Sequence, residues 1–280
     1  ADVALEYFPA GMRAVLRDEI RDHPLRREIV ATRIASDLVD HVGPGMIYQL
    51  EERLGVRTPA VARAYAVIRA VFDTDRWWAE ARDGADRWER LGAVQGFVEH
   101  AASWILRLRP SPLDVTAEIA RLRAGVEDLL ADAAPGDGPD FGFLAECPAL
   151  VDTAHTLDCP ARLVARVHAA TGSLLGIEGM SPDLSTGSHT WWDSTAIATA
   201  RDELADRHHG LVAAILRRDG APTGPADVDE VLARWQARVP DAIARVTRLT
   251  TELRENGPVD LPRACTLGAE LRLLVRATER

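Results

Sequence analysis

The chain has 280 residues, 47% of them hydrophobic and 27% charged, which is the composition of a globular protein with a sizeable core. Its net charge of −10 excludes a nucleic-acid-binding protein, because such proteins need a basic face. Every basic residue is arginine, and the absence of lysine excludes an enzyme that works through a lysine Schiff base.

The cysteine content and the hydropathy pattern bear on where the protein works. Cys147, Cys159 and Cys265 are sparse and odd in number, which favours a reducing compartment over a secreted disulfide framework. No apolar run approaches the roughly 20 residues that a transmembrane helix needs, and no signal peptide is visible. We therefore expect a cytoplasmic protein that does not contact a membrane.

Helical periodicity runs through the first half of the chain. The first predicted helix follows Pro9 and places on one side Met12, Val15, Leu16 and Ile20. A second helix is expected from about Pro24 to Val42, with the sequence Gly-Pro-Gly at 43–45 ending it. Further helical patterns cover about 58–72, 88–108 and 115–129, the second of them with Trp88 at the start of its apolar stripe.

The second half of the chain shows the same periodicity. A long helix is expected to open at the Trp191-Trp192 pair, after a segment at 176–190 that is rich in Gly, Ser, Pro and Thr. The longest pattern runs from Leu232 to Leu253 and keeps its phase across Pro240. This predicts either one kinked helix or two nearly collinear helices.

Strands are expected to be few or absent, because alternation of apolar and polar residues is almost missing from the chain. Short loops and heptad-like seams predict an all-α fold of antiparallel helical bundles, with about ten or more helices. Residues 134–142, rich in glycine and proline, are the best linker candidate. We expect an N-terminal helical subdomain over 1–133 and a C-terminal one over 143–280, or else one continuous domain.

One glycine pattern imitates a cofactor-binding loop. Gly136, Gly138 and Gly142 have spacing similar to that of a dinucleotide-binding turn. No strand precedes them, however, and Pro139 stands where the following helix would have to begin. We therefore assign no cofactor-binding residue in this chain.

Thiols and imidazoles in the middle of the chain have to be weighed as metal ligands. These residues are Cys147, His155, Cys159 and His168. Their spacing is not that of a zinc finger, and no Cys-x-x-Cys pair is present, so we assign no metal ligand. His208 lies on the apolar stripe of its helix, and we expect a core histidine hydrogen-bonded to a neighbouring helix. We assign no catalytic residue either, since neither His-Glu-x-x-His nor Gly-x-Ser-x-Gly occurs.

Two features of the sequence are compatible with an interface. Paired tryptophans pack helices together in most proteins, but tryptophan and arginine also dominate binding hot spots. The arginines near the start of the second predicted helix form either a solvated ridge or a surface that pairs with carboxylates elsewhere. The candidate interface residues are Arg26, Arg27, Arg33, Trp77, Trp78, Trp191 and Trp192.

Part of the chain resembles a known family. The strings at 7–9 (YFP), 23–33 (HPLRREIVATR) and 62–65 (ARAY) resemble the C-terminal region of the large bacterial NAD-dependent glutamate dehydrogenases. The LRREI string followed by AT is the most specific part of this similarity. Trp192 and the string at 200–204 (ARDEL) resemble a later helix of the same region.

The resemblance implies a C-terminal helical domain. In that family the dehydrogenase domain lies upstream, binds NAD in a Rossmann-type domain and uses lysines at the glutamate site. The parent enzyme would convert L-glutamate, NAD and water to 2-oxoglutarate, ammonia and NADH. NAD therefore belongs to the parent, and the present chain is expected to hold no cofactor and to be inactive alone.

The expected partners follow from the same resemblance. They are the catalytic domain of the chain's own parent and, in a homo-oligomer, further copies of it, so the chain would support assembly or regulation. Two alternatives remain open at this point. One is a free-standing helical binding or regulatory protein without enzymatic activity, and the other is an all-α enzyme with a site in the core of a bundle.

Overall fold

The computed structural model describes residues 3–83, 86–109, 112–131, 140–178, 180, 191–257 and 259–280. These residues form helices and no strand, which confirms the predicted all-α fold. The first eight helices are α1 (Val3–Glu6), α2 (Ala10–Val15), α3 (Arg17–Arg21), α4 (Arg26–Leu54), α5 (Thr58–Phe72), α6 (Thr74–Arg82), α7 (Arg87–Leu108) and α8 (Val115–Leu130). The others are α9 (Phe141–Leu157), α10 (Ala161–Leu175), α11 (Trp191–Asp219), α12 (Pro225–Arg238), α13 (Pro240–Glu255) and α14 (Leu261–Glu279).

The chain divides into two compact units. Unit 1 comprises Ala1–Arg123 and Pro139–Ala145, and unit 2 comprises Ala124–Gly138 and Glu146–Arg280. The division therefore passes through α8 and α9. The linker expected at 134–142 stays a prediction, because most of that segment lies outside the described residues. Within the described ranges, no helix combines the length and the apolar character that crossing a bilayer requires.

Unit 1 is built mainly from α4, α5, α6 and α7, which pack against one another, and α1 lies against α4. Apolar residues recurring at helical spacing supply its core, as the sequence pattern predicts. The largest fully buried side chains of this unit are Leu38, Leu50, Tyr65, Ile68, Ile105 and Leu122.

The predicted end of the second helix is present as a break inside α4. Gly43 has φ 77° and ψ 160°, a conformation that glycine tolerates and other residues strongly resist. The backbone then becomes helical again at once, since Pro44 suits the first turn of a helix, and it continues to Leu54. The sequence pattern located the break but not the resumption.

The expectation for the residues after Pro9 is corrected. They form the two short helices α2 and α3, because the backbone leaves helical geometry at Leu16. Of the four apolar side chains expected on a packed face, only Ile20 is buried. The stripe expected to start at Trp88 also begins later, since this side chain is 73% exposed and Arg87 covers its ring at 5.0 Å.

Unit 2 contains α10 to α14 and the adjoining parts of α8 and α9. The long helix α11 packs along α14, and α10 lies against α11, α12 and α13. Trp235 is fully buried, and its Nε1 donates to the hydroxyl of Thr278 at 3.0 Å. The backbone leaves helical geometry at Val239, so the pattern around Pro240 forms two helices and not one kinked helix.

Candidate functional site

Arg33, one of the candidate interface residues, belongs to an ion network inside unit 1. Its guanidinium lies 3.1 Å from Asp37, which in turn lies 3.7 Å from Arg69. Arg69 is only 7% exposed, and it donates to Asp75 at 2.7 Å and also to Glu6. The network therefore ties α1, α4, α5 and α6 together.

The electrostatics of this network agree with its burial. Asp37 is only 4% exposed, and burial raises the pKa of its carboxyl group. The nearby guanidinium groups of Arg33 and Arg69 oppose that shift. Arg33 is thus half-exposed, but its guanidinium group pairs with a carboxylate inside unit 1.

The first tryptophan pair also contributes to packing within unit 1. Trp78 is 2% exposed and stacks on His41, with ring centroids 5.0 Å apart. Trp77 is partly buried and makes edge contacts with Phe97 and Phe141, each at 5.2 Å between centroids. Trp78 is therefore part of the core of unit 1, because its indole is enclosed on nearly every side. For the second pair, Trp191 and Trp192, the side chains lie outside the part of the chain that the structure describes.

The other two candidate interface residues lie at an exposed surface of unit 1. Arg26 and Arg27 are exposed at the start of α4, next to Leu25, which is 57% exposed. α2 has no buried residue at all, and its Val15 is 77% exposed. We call this the amino-terminal surface, and it consists of Tyr7, Met12, Val15, Leu16, Leu25, Arg26 and Arg27.

The amino-terminal surface has the composition of an interaction site. A helix as short as α2, Ala10–Val15, gains too little from its own hydrogen bonds to be stable without packing. Exposed apolar side chains gathered in one segment and rimmed by arginine are typical of an interaction site. The sequence pattern missed the apolar part of this surface, because the same apolar spacing is typical of a packed helix.

A polar cluster lies in the interior of unit 2. Glu146 of α9, His168 of α10 and His209 of α11 each offer one ligand atom, and these atoms lie within 4.8 Å of one another. The Nε2 atom of His209 is 2.6 Å from Oε2 of Glu146. The His168 ring lies between two others, with its centroid 4.7 Å from that of His209 and 3.9 Å from that of His208.

His208 confirms the prediction of a core histidine bonded to a neighbouring helix. It is 9% exposed, and its Nε2 atom lies 2.9 Å from the hydroxyl oxygen of Thr171 on α10. Burial lowers its pKa to about 3, and the nearby His209 adds to the shift. Burial, helped by His208 and His209, also lowers the pKa of His168 well below its ordinary range. Both rings are therefore neutral at pH 7 and keep a nitrogen lone pair.

The cluster differs from the set that the sequence brought into consideration. Of the four residues weighed there as metal ligands, the described group with metal-ligand geometry contains only His168. Cys147 and Cys159 are buried but do not belong to this group, and His155 is exposed. Sequence spacing had no means of finding Glu146 and His209, because the residues lie far apart along the chain and only packing of three helices brings them together.

A comparison with known proteins decides the family. The family model described as glutamate dehydrogenase, C-terminal, matches residues 1–135 and 141–272, which is nearly the whole chain. The chain belongs to the glutamate dehydrogenase C-terminal family. This confirms the resemblance on which the expectations about the parent enzyme depend.

Curated relatives of this glutamate dehydrogenase C-terminal chain are themselves NAD-specific glutamate dehydrogenases. The protein of Mycobacterium tuberculosis is 27% identical over 98% of this chain, and that of Pseudomonas aeruginosa is 23% identical over 97%. The protein of Halomonas elongata is 26% identical over 81% of the chain. The matches cover 19%, 19% and 16% of these relatives, so the chain spans less than a fifth of their length.

Proposed function

We propose that the chain is a non-catalytic helical domain of a NAD-specific glutamate dehydrogenase. The parent enzyme would oxidatively deaminate L-glutamate to 2-oxoglutarate and ammonia and pass the hydride to NAD. The observation that carries this proposal is the match of nearly the whole chain to the glutamate dehydrogenase C-terminal family. The absence of lysine supports a non-catalytic role, because lysine is the residue that the resemblance assigns to the glutamate site.

The domain's task in this proposal is to dock onto the rest of its own polypeptide. The relatives are NAD-specific glutamate dehydrogenases of which the matched region makes up 19% or less, so most of such a protein lies outside the family match. The amino-terminal surface supplies exposed apolar side chains for that docking, Val15 and Leu25 among them. Covering these side chains would supply the packing that α2 lacks within unit 1.

The rim of the amino-terminal surface sets the chemistry of the partner. Arg17 and Arg27 are exposed along it, next to exposed carboxylates of the same segment at Asp18, Glu19 and Glu28. Guanidinium groups pair best with carboxylates, often through two parallel hydrogen bonds. We therefore expect an apolar patch bordered by Asp and Glu on the docking face of the catalytic region.

The test combines the 280-residue chain with the remainder of its polypeptide, expressed as a separate protein. We expect a complex on size-exclusion chromatography with light scattering, and we expect Val15→Glu to abolish it because a charge would be buried in an apolar contact. Leu273→Glu on α14 is the matched control, since Leu273 is 43% exposed and lies in unit 2. This control should leave the complex intact.

Two results would contradict the proposal. If Val15→Glu and Leu273→Glu behave alike, or if the surface only joins two copies of this chain, docking through the amino-terminal surface is wrong. The second concerns catalysis. Activity of the purified chain is measured by the absorbance of NADH. If the chain reduces NAD with glutamate as the substrate, the non-catalytic role is wrong.

A further inference from the structure

The polar cluster of unit 2 has the composition of a metal site, and nothing in the proposed function uses it. We propose that Glu146, His168 and His209 bind one divalent transition-metal ion, with Zn²⁺ as the best-fitting ion. The proposal stands on the geometry of unit 2 alone. It therefore holds or fails independently of docking through unit 1.

The chemical types of the three ligands fit zinc. Two imidazoles and one carboxylate are a common protein ligand set for zinc, which is usually four-coordinate. With three protein ligands, a water molecule would occupy the fourth position. Glu146, His168 and His209 come from α9, α10 and α11, so a bound ion would cross-link three helices of the same unit.

The distances between the ligand atoms are close to those of a zinc site. The three atoms already lie within 4.8 Å of one another. Zinc–ligand bonds of about 2.0–2.2 Å place the ligand atoms of a tetrahedral site about 3.3–3.6 Å apart. Glu146 and His209 are closer than that, at 2.6 Å, so their hydrogen bond would open slightly as the ion enters. The ligand atoms would therefore have to shift by on the order of 1 Å to bind the ion.

The residues around the cluster hold the His208 ring next to His168. Thr171 holds the His208 ring through the 2.9 Å contact to its Nε2 atom, and its hydroxyl also lies 2.9 Å from the carbonyl oxygen of Val167. A side chain at Gly172 would place its Cβ atom 3.2 Å from the His208 ring, so glycine leaves room for that ring. The His208 ring lies against that of His168, with centroids 3.9 Å apart and the ring planes tilted by 31°. Such supporting groups are what orient metal ligands in known sites.

The experiment uses the full 280-residue chain, stripped of metal by chelator and then dialysed. Zn²⁺ is titrated by isothermal calorimetry, and Co²⁺ is added separately to record its visible absorption spectrum. We expect one ion per chain and a cobalt spectrum of tetrahedral nitrogen and oxygen ligation. Glu146→Gln, His168→Gln and His209→Gln should each weaken Zn²⁺ binding roughly 100-fold, since even loss of a supporting group costs about 10–100-fold.

Two control variants separate this site from adventitious binding. His155→Gln removes an exposed imidazole on α9, and Cys265→Ser removes an exposed thiol on α14. Both should bind Zn²⁺ as tightly as the unchanged chain. Binding that disappears in Cys265→Ser, or that survives in all three ligand variants, would overturn the proposal, and so would a failure of the unchanged chain to bind.

Folding of the variants needs its own check, because His209 is buried and Glu146 and His168 are partly buried. Far-ultraviolet circular dichroism reports whether each variant keeps its helices. If a ligand variant loses its helices, the cobalt spectrum of the unchanged chain is used to test the ligand assignment. A spectrum without a thiolate charge-transfer band supports the assignment, and a spectrum with one contradicts it, because the proposed ligands contain no sulfur.

Discussion

At the scale of the residue, the most consequential side chain of unit 1 is the buried guanidinium of Arg69. It makes a two-atom contact with Asp75, with its Nε 2.8 Å from Oδ1 and its Nη2 2.7 Å from Oδ2. Asp37 and Glu6 complete its surroundings. Such a network stabilises a fold only while it is complete, because each charge depends on the others for compensation.

Replacing Arg69 should therefore be severe. Arg69→Met leaves Asp37 buried with one partner fewer, and loss of one member of a buried ion pair typically costs about 3–5 kcal/mol. We expect a large fall in the urea concentration at the unfolding midpoint, measured by circular dichroism. Arg76→Met is the control, since the Arg76–Glu80 pair is exposed on α6 and should leave the midpoint unchanged. Equal midpoints for the two variants would refute this account.

His41 supplies a second prediction at the scale of the residue, concerning pH. Burial lowers its pKa below the ordinary value of 6.5, and Arg82 and Arg69 strengthen the shift while Asp75 and Asp40 oppose it. The unfolded chain therefore takes up this proton more readily than the folded chain. The stability that His41 contributes is present above about pH 6.5 and is lost as the pH falls below that value.

The variant His41→Gln tests that linkage. Glutamine keeps a polar group near the hydroxyl of Tyr65, which lies 2.9 Å from Nδ1 of His41, but it does not titrate. We expect the variant to lose less of its unfolding free energy between pH 7.5 and pH 5.5 than the unchanged chain, over roughly the window of histidine titration. The unfolding free energy is measured by urea titration at each pH. An equal loss in both proteins would contradict the role of His41 in the pH dependence.

At the scale of the element, the break in α4 shows how one residue positions a helix. Gly43 adopts a positive φ and an extended ψ, which is a region that only glycine occupies at low cost. A Cβ atom at this position would meet open space, so crowding is not the constraint. The backbone conformation alone therefore requires glycine here, and it sets the direction in which the rest of α4 continues.

Two neighbouring glycines make a matched test of that statement. Gly43→Ala should destabilise the chain by about 1–3 kcal/mol, which is the cost of such backbone strain. Gly45 is helical, and a Cβ atom there would also meet open space. Gly45→Ala should therefore stabilise the folded chain by up to about 1 kcal/mol, because alanine lowers the conformational entropy of the unfolded chain. Urea denaturation of both variants is the measurement. The same sign of change in both would contradict the argument.

At the scale of the whole molecule, charge should influence docking. The chain carries a net charge of −10, and the arginines on the rim of the amino-terminal surface are exposed among carboxylates of the same segment. If carboxylates of the catalytic region meet that rim, attraction across it should respond to salt. The apolar centre of the surface should not respond in this way, because hydrophobic contact does not depend on charge.

Salt titration of the docked complex separates the two contributions. Screening shortens the Debye length from about 10 Å at 0.1 M ionic strength to about 3 Å at 1 M, so affinity should fall over that range. Arg27→Gln should weaken binding by at most about fivefold and reduce the salt dependence, since exposed ion pairs contribute about 0.2–1 kcal/mol. Binding that strengthens with salt, measured by calorimetry, would assign the docking to apolar contact alone.

The sequence by itself determined the all-α class, the positions of most helices, the family resemblance and the buried, bonded state of His208. All of these depend on local periodicity and on contiguous strings, which are properties of neighbours along the chain. It could not distinguish the packed face of a helix from an exposed apolar one. Val15 and Trp88 therefore became visible as surface residues only in the folded chain.

Tertiary structure alone decided which distant residues meet. Arg69 lies beside Asp37 and Trp78 is enclosed in unit 1 because of how α4, α5 and α6 pack. Glu146 and His209 meet because α9 and α11 belong to one packed unit, and no spacing rule connects them along the chain. Helix packing depends on the fit of whole surfaces, and that information is distributed over many residues and carried by no single motif.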